Sequence, residues 1–312
     1  MAATLVGVEL GLLDQDIFNG VVIMILITCV ASPLIVERFG AGLLKESAAL
    51  PKDHEARLDF RRILVSVSNP AKKESLTNLA EILANNVEGT LLPLYVTRLG
   101  DSPNAAELRT NRSRAQMHPK RRTSLFPLHR VDQSIASGIL SEVIENHVNT
   151  IVIGWGQKRN VTEAMLGRIL DYVVWNTPVP ALVCKLTKPI MAHRRVLLIL
   201  RLHLLSERQR TDIIETVTVI TRALGSPLFA LVDKEYLEEI EAALLASNLL
   251  YTIEQLRQDV TRQVVQVAQP FDLIVMATLG ARQRFQSSLG RVPEQIVDQA
   301  PASTIVIRYP LI

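Results

Sequence analysis

A glycine-containing loop carries the chemistry that is easiest to identify in this sequence. In the stretch IVIGWGQKRNVTEAMLGR, Gly154 follows a short apolar run and Gly167 comes 13 residues later. Glycines between a strand and a helix let backbone N–H groups approach a phosphate near the helix N-terminus. We expect a strand to end at Ile153 and Gly167 to lie close to the start of a helix. With that geometry, the loop predicts a phosphate-bearing ligand.

The end of this stretch occurs a second time in the chain. Residues 165–185 (MLGRILDYVVWNTPVPALVCK) align without gaps with residues 288–308 (SLGRVPEQIVDQAPASTIVIR). The identical pairs are Leu166, Gly167, Arg168, Val174, Pro178 and Val183 with Leu289, Gly290, Arg291, Val297, Pro301 and Val306. Two arginines precede an apolar run at 61–62 and again at 194–195, so we predict two repeats, at 61–187 and 194–312.

Short apolar runs alternate with amphipathic segments in both repeats. In the first repeat, we predict strands at 63–67, 90–96, 150–153 and 179–184, and helices at 74–83, 133–147 and 161–175. In the second, we predict strands near 196–200, 228–232, 249–253, 273–276 and 304–307, and helices near 208–224, 234–247, 256–267 and 286–299. Fully apolar strands between amphipathic helices are typical of a parallel sheet covered on both faces. The predicted fold class is α/β, with two doubly wound domains whose ligands bind at the carboxyl ends of strands.

Composition limits the classes of function. Of the 312 residues, 48% are apolar and 21% are charged, which suits packed domains. The net charge of +3 is too small to indicate nucleic acid as a partner. Cys29 and Cys184 form no CxxC motif and the six histidines are scattered, so the sequence indicates neither a disulfide framework nor a zinc site. We find no catalytic constellation and expect a protein that is not an enzyme.

The N-terminal region differs from the rest of the chain. Residues 17–36 (IFNGVVIMILITCVASPLIV) contain no charge, and as a helix they would be about 30 Å long, the thickness of a bilayer's hydrocarbon core. Basic residues follow this run, so the positive-inside rule places the bulk of the chain in the cytoplasm. The alternative is a buried soluble helix. Residues 1–13 read as the tail of an earlier helix, and we expect 1–36 to be a truncated membrane region within a larger protein.

A polar connector at 37–60 leads to the first repeat, and a basic loop interrupts that repeat at 98–130. The loop includes Lys120, Arg121 and Arg122, and prolines break any helix within it. Near a membrane, such a cluster would contact anionic lipid headgroups or a protein partner. The alternative is a solvated disordered loop. Nucleic acid is disfavoured because Phe126 is the one aromatic residue available for base stacking.

The glycine loops, the first strand of each repeat and the final proline with its apolar strand resemble universal stress proteins. The resemblance covers residues 61–308 and implies two tandem domains of that fold. The family's nucleotide loop has glycines at three positions followed by serine or threonine. The matching residues are Gly154, Gln157, Gly167 and Arg168 in the first repeat, and Ala277, Gly280, Gly290 and Arg291 in the second. The acidic residue that usually ends the family's first strand is replaced by Ser68 and Arg201. The resemblance thus implies degenerate nucleotide loops, and an adenine nucleotide or a cyclic dinucleotide is the ligand class to test.

A second resemblance joins the two regions of the chain. The stretch LVGVELGLLDQDIFNGVVIMILITCVASPLIVERFG looks like the last membrane helices of bacterial Kef/Nap-type cation:proton antiporters, and RVDQSIASGILSEVIENHVNTIVIGWG looks like their stress-protein-like tail. The resemblance implies a cytoplasmic regulatory tail of a monovalent cation (Na⁺ or K⁺):proton antiporter, held at the cytoplasmic or a thylakoid-type membrane. Its partners would be the antiporter's transport domain and a second copy of the chain. The helices that form the ion path in that family are not in the sequence, so we expect no transport by this chain alone. The alternative is a nucleotide-binding universal stress protein tethered to the membrane.

Overall fold

The computed structural model describes residues 14–35, 56–66, 70–99, 124–155, 161–201, 205–279 and 289–310. The chain divides into two compact units, Met1–His54 and Glu55–Ile312. The connector prediction at 37–60 falls outside the described residues except for its last five positions.

The smaller unit contains helix α1 (Gln15–Ile35), which coincides with the uncharged run noted above. Apolar side chains on it are exposed, among them Ile23, Met24 and Ile27. Within the part of the chain that the structure describes, no helix has the length and apolar character needed to cross a membrane. The membrane-spanning role of residues 17–36 therefore stays a prediction.

The larger unit alternates strands and helices. Its strands are β1 (Arg62–Ser66), β2 (Thr90–Arg98), β3 (Ser124–Leu125), β4 (Leu128–Asp132), β5 (Thr150–Gly154), β6 (Ala181–Lys185), β7 (Arg195–Leu200), β8 (Leu228–Val232), β9 (Tyr251–Gln255), β10 (Asp272–Leu279) and β11 (Ser303–Tyr309). Its α-helices are α2 (Pro70–Asn85), α3 (Ile135–Glu145), α4 (Val161–Asn176), α5 (Glu207–Leu224), α6 (Leu237–Ala246), α7 (Val260–Val267) and α8 (Arg291–Gln299). Short 3₁₀ helices occupy Ile190–Ala192 and Lys234–Tyr236.

The described strands form one sheet in the order β3–β2–β1–β5–β6–β11–β10–β7–β8–β9, with β4 also paired to β2. Within each repeat the pairs are parallel, and the strand order reverses between β1 and β5 and again between β7 and β10. This is the layout of a doubly wound domain, with a topological switch point in each repeat. The α/β prediction is confirmed.

The sheet is buried on both faces because its central strands are mostly apolar on both sides. In β7 (RVLLIL), Val196, Leu198 and Leu200 belong to the core on one face of the sheet. Leu197 and Ile199 belong to the core on the other face. This alternation follows from the two-residue period of a strand. The helices cover both faces, as the sequence pattern predicts.

The two repeats are joined by an antiparallel seam between β6 and β11. Val183 lies opposite Val306, and the register continues from Lys185 opposite Thr304 to Arg308 opposite Ala181. Val183 and Val306 are also equivalent positions of the sequence repeat, since each lies 17 residues after its Leu-Gly-Arg leucine. A pseudo-two-fold axis therefore passes through this pair of valines.

Each seam strand has, at or next to its end, a basic residue that contacts the last helix of the other repeat. The Lys185 ammonium donates to the carbonyl oxygens of Val297 and Ala300, at the C-terminus of α8. Its equivalent, Arg308, is only 1% exposed, and its guanidinium lies 5.6 Å from the ring centroid of Trp175 in α4. Burial lowers the pKa of Arg308 to about 10. A cation at a helix C-terminus is favoured by the helix dipole, so these two residues tie each repeat to the other's last helix.

The structure differs from the sequence predictions in the basic loop and at several element boundaries. The basic loop does not extend to 130, because residues 128–132 form β4 and pair in parallel with β2. Residues 100–123, including Lys120, Arg121 and Arg122, lie outside the described residues. Helix α7 begins at Val260 rather than near 256, because Asp259 caps it by accepting a hydrogen bond from the Arg262 N–H.

The chain between the repeats contains a buried histidine. The Nδ1 atom of His193 lies 2.7 Å from the carbonyl oxygen of Ile190, which can only accept, so Nδ1 carries the proton. The side chain is 3% exposed, and Nε2 is buried without a hydrogen-bond partner among the described residues. Burial lowers the pKa of His193; Lys188 lowers it further, while the Ile190 carbonyl and Asp272 oppose the shift.

We expect Lys185→Met to lower the free energy of unfolding by about 1.5 kcal/mol, because it removes charge-assisted bonds to two carbonyl groups. Urea denaturation of the full chain measures the change. Lys234→Met is the control, since Lys234 is exposed and should change stability by no more than about 0.5 kcal/mol. Equal effects of the two substitutions would show that the contact across the seam contributes nothing.

We expect the free energy of unfolding to fall more steeply in the wild type than in His193→Asn as pH is lowered from about 7 to 5. The folded-state pKa of His193 is depressed, so the unfolded chain binds more protons in this window. The stabilising contribution is complete above the unfolded pKa and is lost as pH falls below it. Urea midpoints at several pH values test this, with exposed His129→Asn as the control. Parallel pH profiles for wild type and His193→Asn would contradict it.

Candidate functional site

A cleft opens at the switch point of the second repeat. Its walls come from the carboxyl ends of β7 and β10, from the residues that follow β7, and from α7 and α8. The lining residues are Ile199, Arg201, Leu205, Val260, Met276, Ala277, Thr278, Leu279, Val292, Pro293 and Ile296. This is where parallel α/β sheets bind ligands, because the loops diverge on either side of the switch point.

The start of α8 forms one wall of the cleft. Gly290 is its N-cap residue, with φ +86° and no side-chain cap, so the first N–H groups of the helix have no side-chain acceptor at the cap position. The Thr278 hydroxyl donates to the Leu289 carbonyl over 3.2 Å, which fixes the helix start against the end of β10. The helix dipole favours negative charge at this end.

Arg201 is the charged residue among those that line the cleft. It follows β7 directly and is partly exposed, and the walls on either side of it are mostly aliphatic. A site of this composition suits a ligand with a flat or apolar portion and an anionic group. The lining residues include no Asp, Glu, His or Cys, so a general acid or base is not among them.

The equivalent end of the first repeat is built differently. Gly154 ends β5, and Trp155 follows it at the position that Thr278 occupies in the second repeat. The Trp155 side chain is 5% exposed and belongs to the hydrophobic core, while the Trp155 backbone N–H donates to the Cys184 carbonyl over 2.7 Å. A buried indole thus stands where the second repeat has a small side chain that faces the cleft.

The two Leu-Gly-Arg motifs also lie in different positions. Gly167 and Arg168 lie inside α4, more than a turn after it begins at Val161. The expectation that Gly167 lies close to a helix start is therefore wrong, because the helix-favouring sequence VTEAML continues the helix ahead of it. In the second repeat, Gly290 precedes α8 and Arg291 is its first residue. Arg291 is exposed and lies outside the cleft lining.

The remaining predicted site residues, Ser68, Gln157 and Gly280, lie outside the described residues. Sequence reasoning placed Arg201 at a strand end but did not identify the apolar walls. The contributions of Leu205, Met276 and Val292 become visible only when the strand order is known. The described residues contain no group of three potential metal ligands, and burial raises the pKa of the Cys184 thiol, which makes it a poor nucleophile.

We expect a nucleotide that binds the cleft to raise the melting temperature of the full chain, with about 2.7 kcal/mol of added stability at 100 times its Kd. A thermal-shift panel of ATP, ADP, AMP, NAD and cyclic dinucleotides tests this. Arg201→Ala should abolish the shift, because Arg201 lines the cleft. Arg291→Ala is the matched control and should leave the shift in place. A shift lost in Arg291→Ala and kept in Arg201→Ala would place the ligand elsewhere.

Comparison with known proteins agrees with this architecture. The sequence model of the universal stress protein family matches residues 59–185, which span the first repeat. A search of curated protein sequences gives no match.

Solved structures resemble the chain over both repeats. A functionally unknown protein from Pseudomonas aeruginosa has a TM-score of 0.57 and 17% identity, with 80% of this chain and 92% of that chain covered. A universal stress protein from Archaeoglobus fulgidus has a TM-score of 0.52 and 14% identity, with 81% and 97% covered. The cytoplasmic domain of a prokaryotic cation chloride cotransporter has a TM-score of 0.54 and 10% identity, with 79% and 94% covered. At these identities the likeness is one of fold. The chain therefore contains a universal stress protein-like domain at residues 59–185, and β1 to β11 share the fold of these proteins.

Proposed function

We propose that this chain is the cytoplasmic regulatory tail of a monovalent cation:proton antiporter, acting at the membrane on the antiporter's transport domain. The observation that carries the proposal is the fused two-repeat sheet, whose fold is shared with the cytoplasmic domain of a cation chloride cotransporter. In this chain the sheet follows an apolar helix, α1. The partners would be the transport domain, the membrane and a second copy of the chain.

The difference between the two switch points supports a role in ligand sensing. The second repeat has an open cleft with Arg201, whereas a buried Trp155 stands at the equivalent end of the first repeat. A ligand in one repeat can shift the balance between two arrangements of the tail only by its difference in affinity for them. The cleft lining is mostly aliphatic with one arginine, a composition that suits binding of an anionic ligand.

A transport assay in everted membrane vesicles tests the proposal. The vesicles would contain a Kef/Nap-type antiporter from which the stress-protein-like tail has been deleted, produced with or without the full chain. We expect the chain to change the rate of K⁺- or Na⁺-dependent proton movement at least threefold, and Arg201→Ala to alter the response to the panel nucleotide that binds. The control is the full chain without an antiporter, which should give no proton movement.

Two outcomes would overturn the proposal. Cation-dependent proton movement by the chain alone would make it a transporter. Recovery of the chain in the soluble fraction, with no effect on the antiporter, would remove the membrane role.

The second candidate is a nucleotide-binding universal stress protein tethered to the membrane, and the cleft in the second repeat favours it. It predicts that purified full chain retains an adenine nucleotide through gel filtration and that the antiporter is unaffected. Mass spectrometry of the released ligand separates the two candidates.

A further inference from the structure

The residues that precede β1 cross to the second repeat instead of lying on the first. The Arg57 Nη2 atom donates to Asp212 Oδ1 over 3.1 Å, and the Leu58 backbone N–H donates to Asp212 Oδ2 over 3.1 Å. Asp212 belongs to α5, the first helix of the second repeat. The two contacts hold residues 56–58, here called the strap, on a helix that lies more than 150 residues further along the chain.

The Asp212 carboxylate is buried and accepts the hydrogen bonds that hold the strap in place. Its side chain is 2% exposed, whereas that of Arg57 is 62% exposed. A buried carboxylate needs hydrogen-bond donors, and the strap supplies one to each oxygen. Leu58 packs against the hydrophobic core beside it. When the strap leaves, Asp212 loses both donors and α5 must adjust or admit water.

At the equivalent position of the linker between the repeats, the contact with the other repeat is apolar. Residues 190 and 57 stand at the same distance before β7 and β1, counted from the paired arginines at 194–195 and 61–62. Ile190 is fully buried, and its short helix packs on α2, the first helix of the first repeat. At this position the linker contacts α2 through a buried aliphatic side chain, whereas the strap contacts α5 through two donors to a carboxylate.

Helix α5 connects the strap to the cleft. Arg201 and Leu205, which lie just before the helix, line the cleft. The Leu205 carbonyl accepts from the Arg210 Nη1 atom over 3.1 Å, which ties this segment to the helix. Asp212 follows Leu205 by seven residues, about 10 Å along the helix axis. A shift of the N-terminal end of α5 towards a ligand would therefore move the carboxylate that holds the strap.

We propose that the strap docks on Asp212 or leaves it according to whether the second-repeat cleft is filled, and so passes the state of the cleft to the chain before residue 55. The inference rests on the proposed function for its biological use. Filling the cleft changes the equilibrium between the docked and the free strap. The size of the change is the coupling free energy between cleft filling and strap docking.

Hydrogen exchange of the full chain, read by mass spectrometry on peptides covering residues 56–60, tests the strap. Asp212→Asn and Arg57→Ala should each raise the exchange rate of the Leu58 amide at least fivefold, while β7 and β11 amides keep their wild-type rates. Asp259→Ala, which removes the α7 cap in the same repeat, is the control and should leave Leu58 unchanged. Unchanged Leu58 exchange in both strap variants, or a uniform increase across the second repeat, would overturn the proposal.

A cleft-filling substitution tests the coupling without a ligand. Thr278→Trp introduces at the cleft the side chain that Trp155 provides at the equivalent position of the first repeat. We expect it to change Leu58 exchange at least threefold in either direction, and to have no effect on Leu58 when Asp212 is already Asn. A strap that responds to Asp212→Asn but not to Thr278→Trp would refute the coupling. These measurements need no transporter. The strap proposal can therefore be confirmed when the vesicle assay contradicts the antiporter proposal, and it can be contradicted when the vesicle assay confirms that proposal.

Discussion

The antiparallel pairing of β6 with β11 is the contact on which the arrangement of the molecule depends. Because strands are parallel within each repeat, an antiparallel seam makes the carboxyl ends of the two repeats point to opposite edges of the sheet. The end of β6 then lies at the same edge as the start of β7, so a short linker with one 3₁₀ turn connects them without crossing the sheet. By the same geometry, the residues before β1 emerge at the edge where α5 begins, which explains why Arg57 and Leu58 contact the second repeat.

The seam determines how the two repeats are arranged, but it does not require the same residues at their two switch points. A pseudo-two-fold pair needs matching residues only where the repeats meet, and there the valines at 183 and 306 and the basic residues at 185 and 308 correspond. Away from the axis, Trp155 is buried where Thr278 faces a cleft. The last helix runs through its Gly167 in the first repeat but begins after Gly290 in the second. Among the described residues, the two repeats therefore present different side chains at equivalent positions, a buried indole in one and a threonine at a cleft in the other.

The strands that the sequence predicts are short runs of mostly apolar residues, as in ILVSV at the start of the first repeat. Strand β4 (LHRVD) escapes prediction because it alternates with charge and lies near the outer end of the sheet, where one side faces water. The switch-point rule predicts where in each repeat a ligand would bind, but it does not predict which repeat has an open cleft there. That depends on one side chain, Trp155 or Thr278, and on where a helix starts. The Arg57–Asp212 pair joins residues 155 positions apart, and no local sequence pattern predicts such a contact.

The linker and the strap differ in the way expected if the linker stays docked and the strap docks reversibly. Burying an isoleucine side chain such as Ile190 contributes about 1.5–3 kcal/mol, and its release would also open a cavity against α2. The Arg57–Asp212 contact depends instead on an exposed guanidinium that water screens and on a buried carboxylate that needs donors. Undocking leaves that carboxylate without the two donors of the strap unless α5 moves far enough for water to replace them. The position of α5 can therefore bias the strap, whereas the linker and the seam keep the two repeats together.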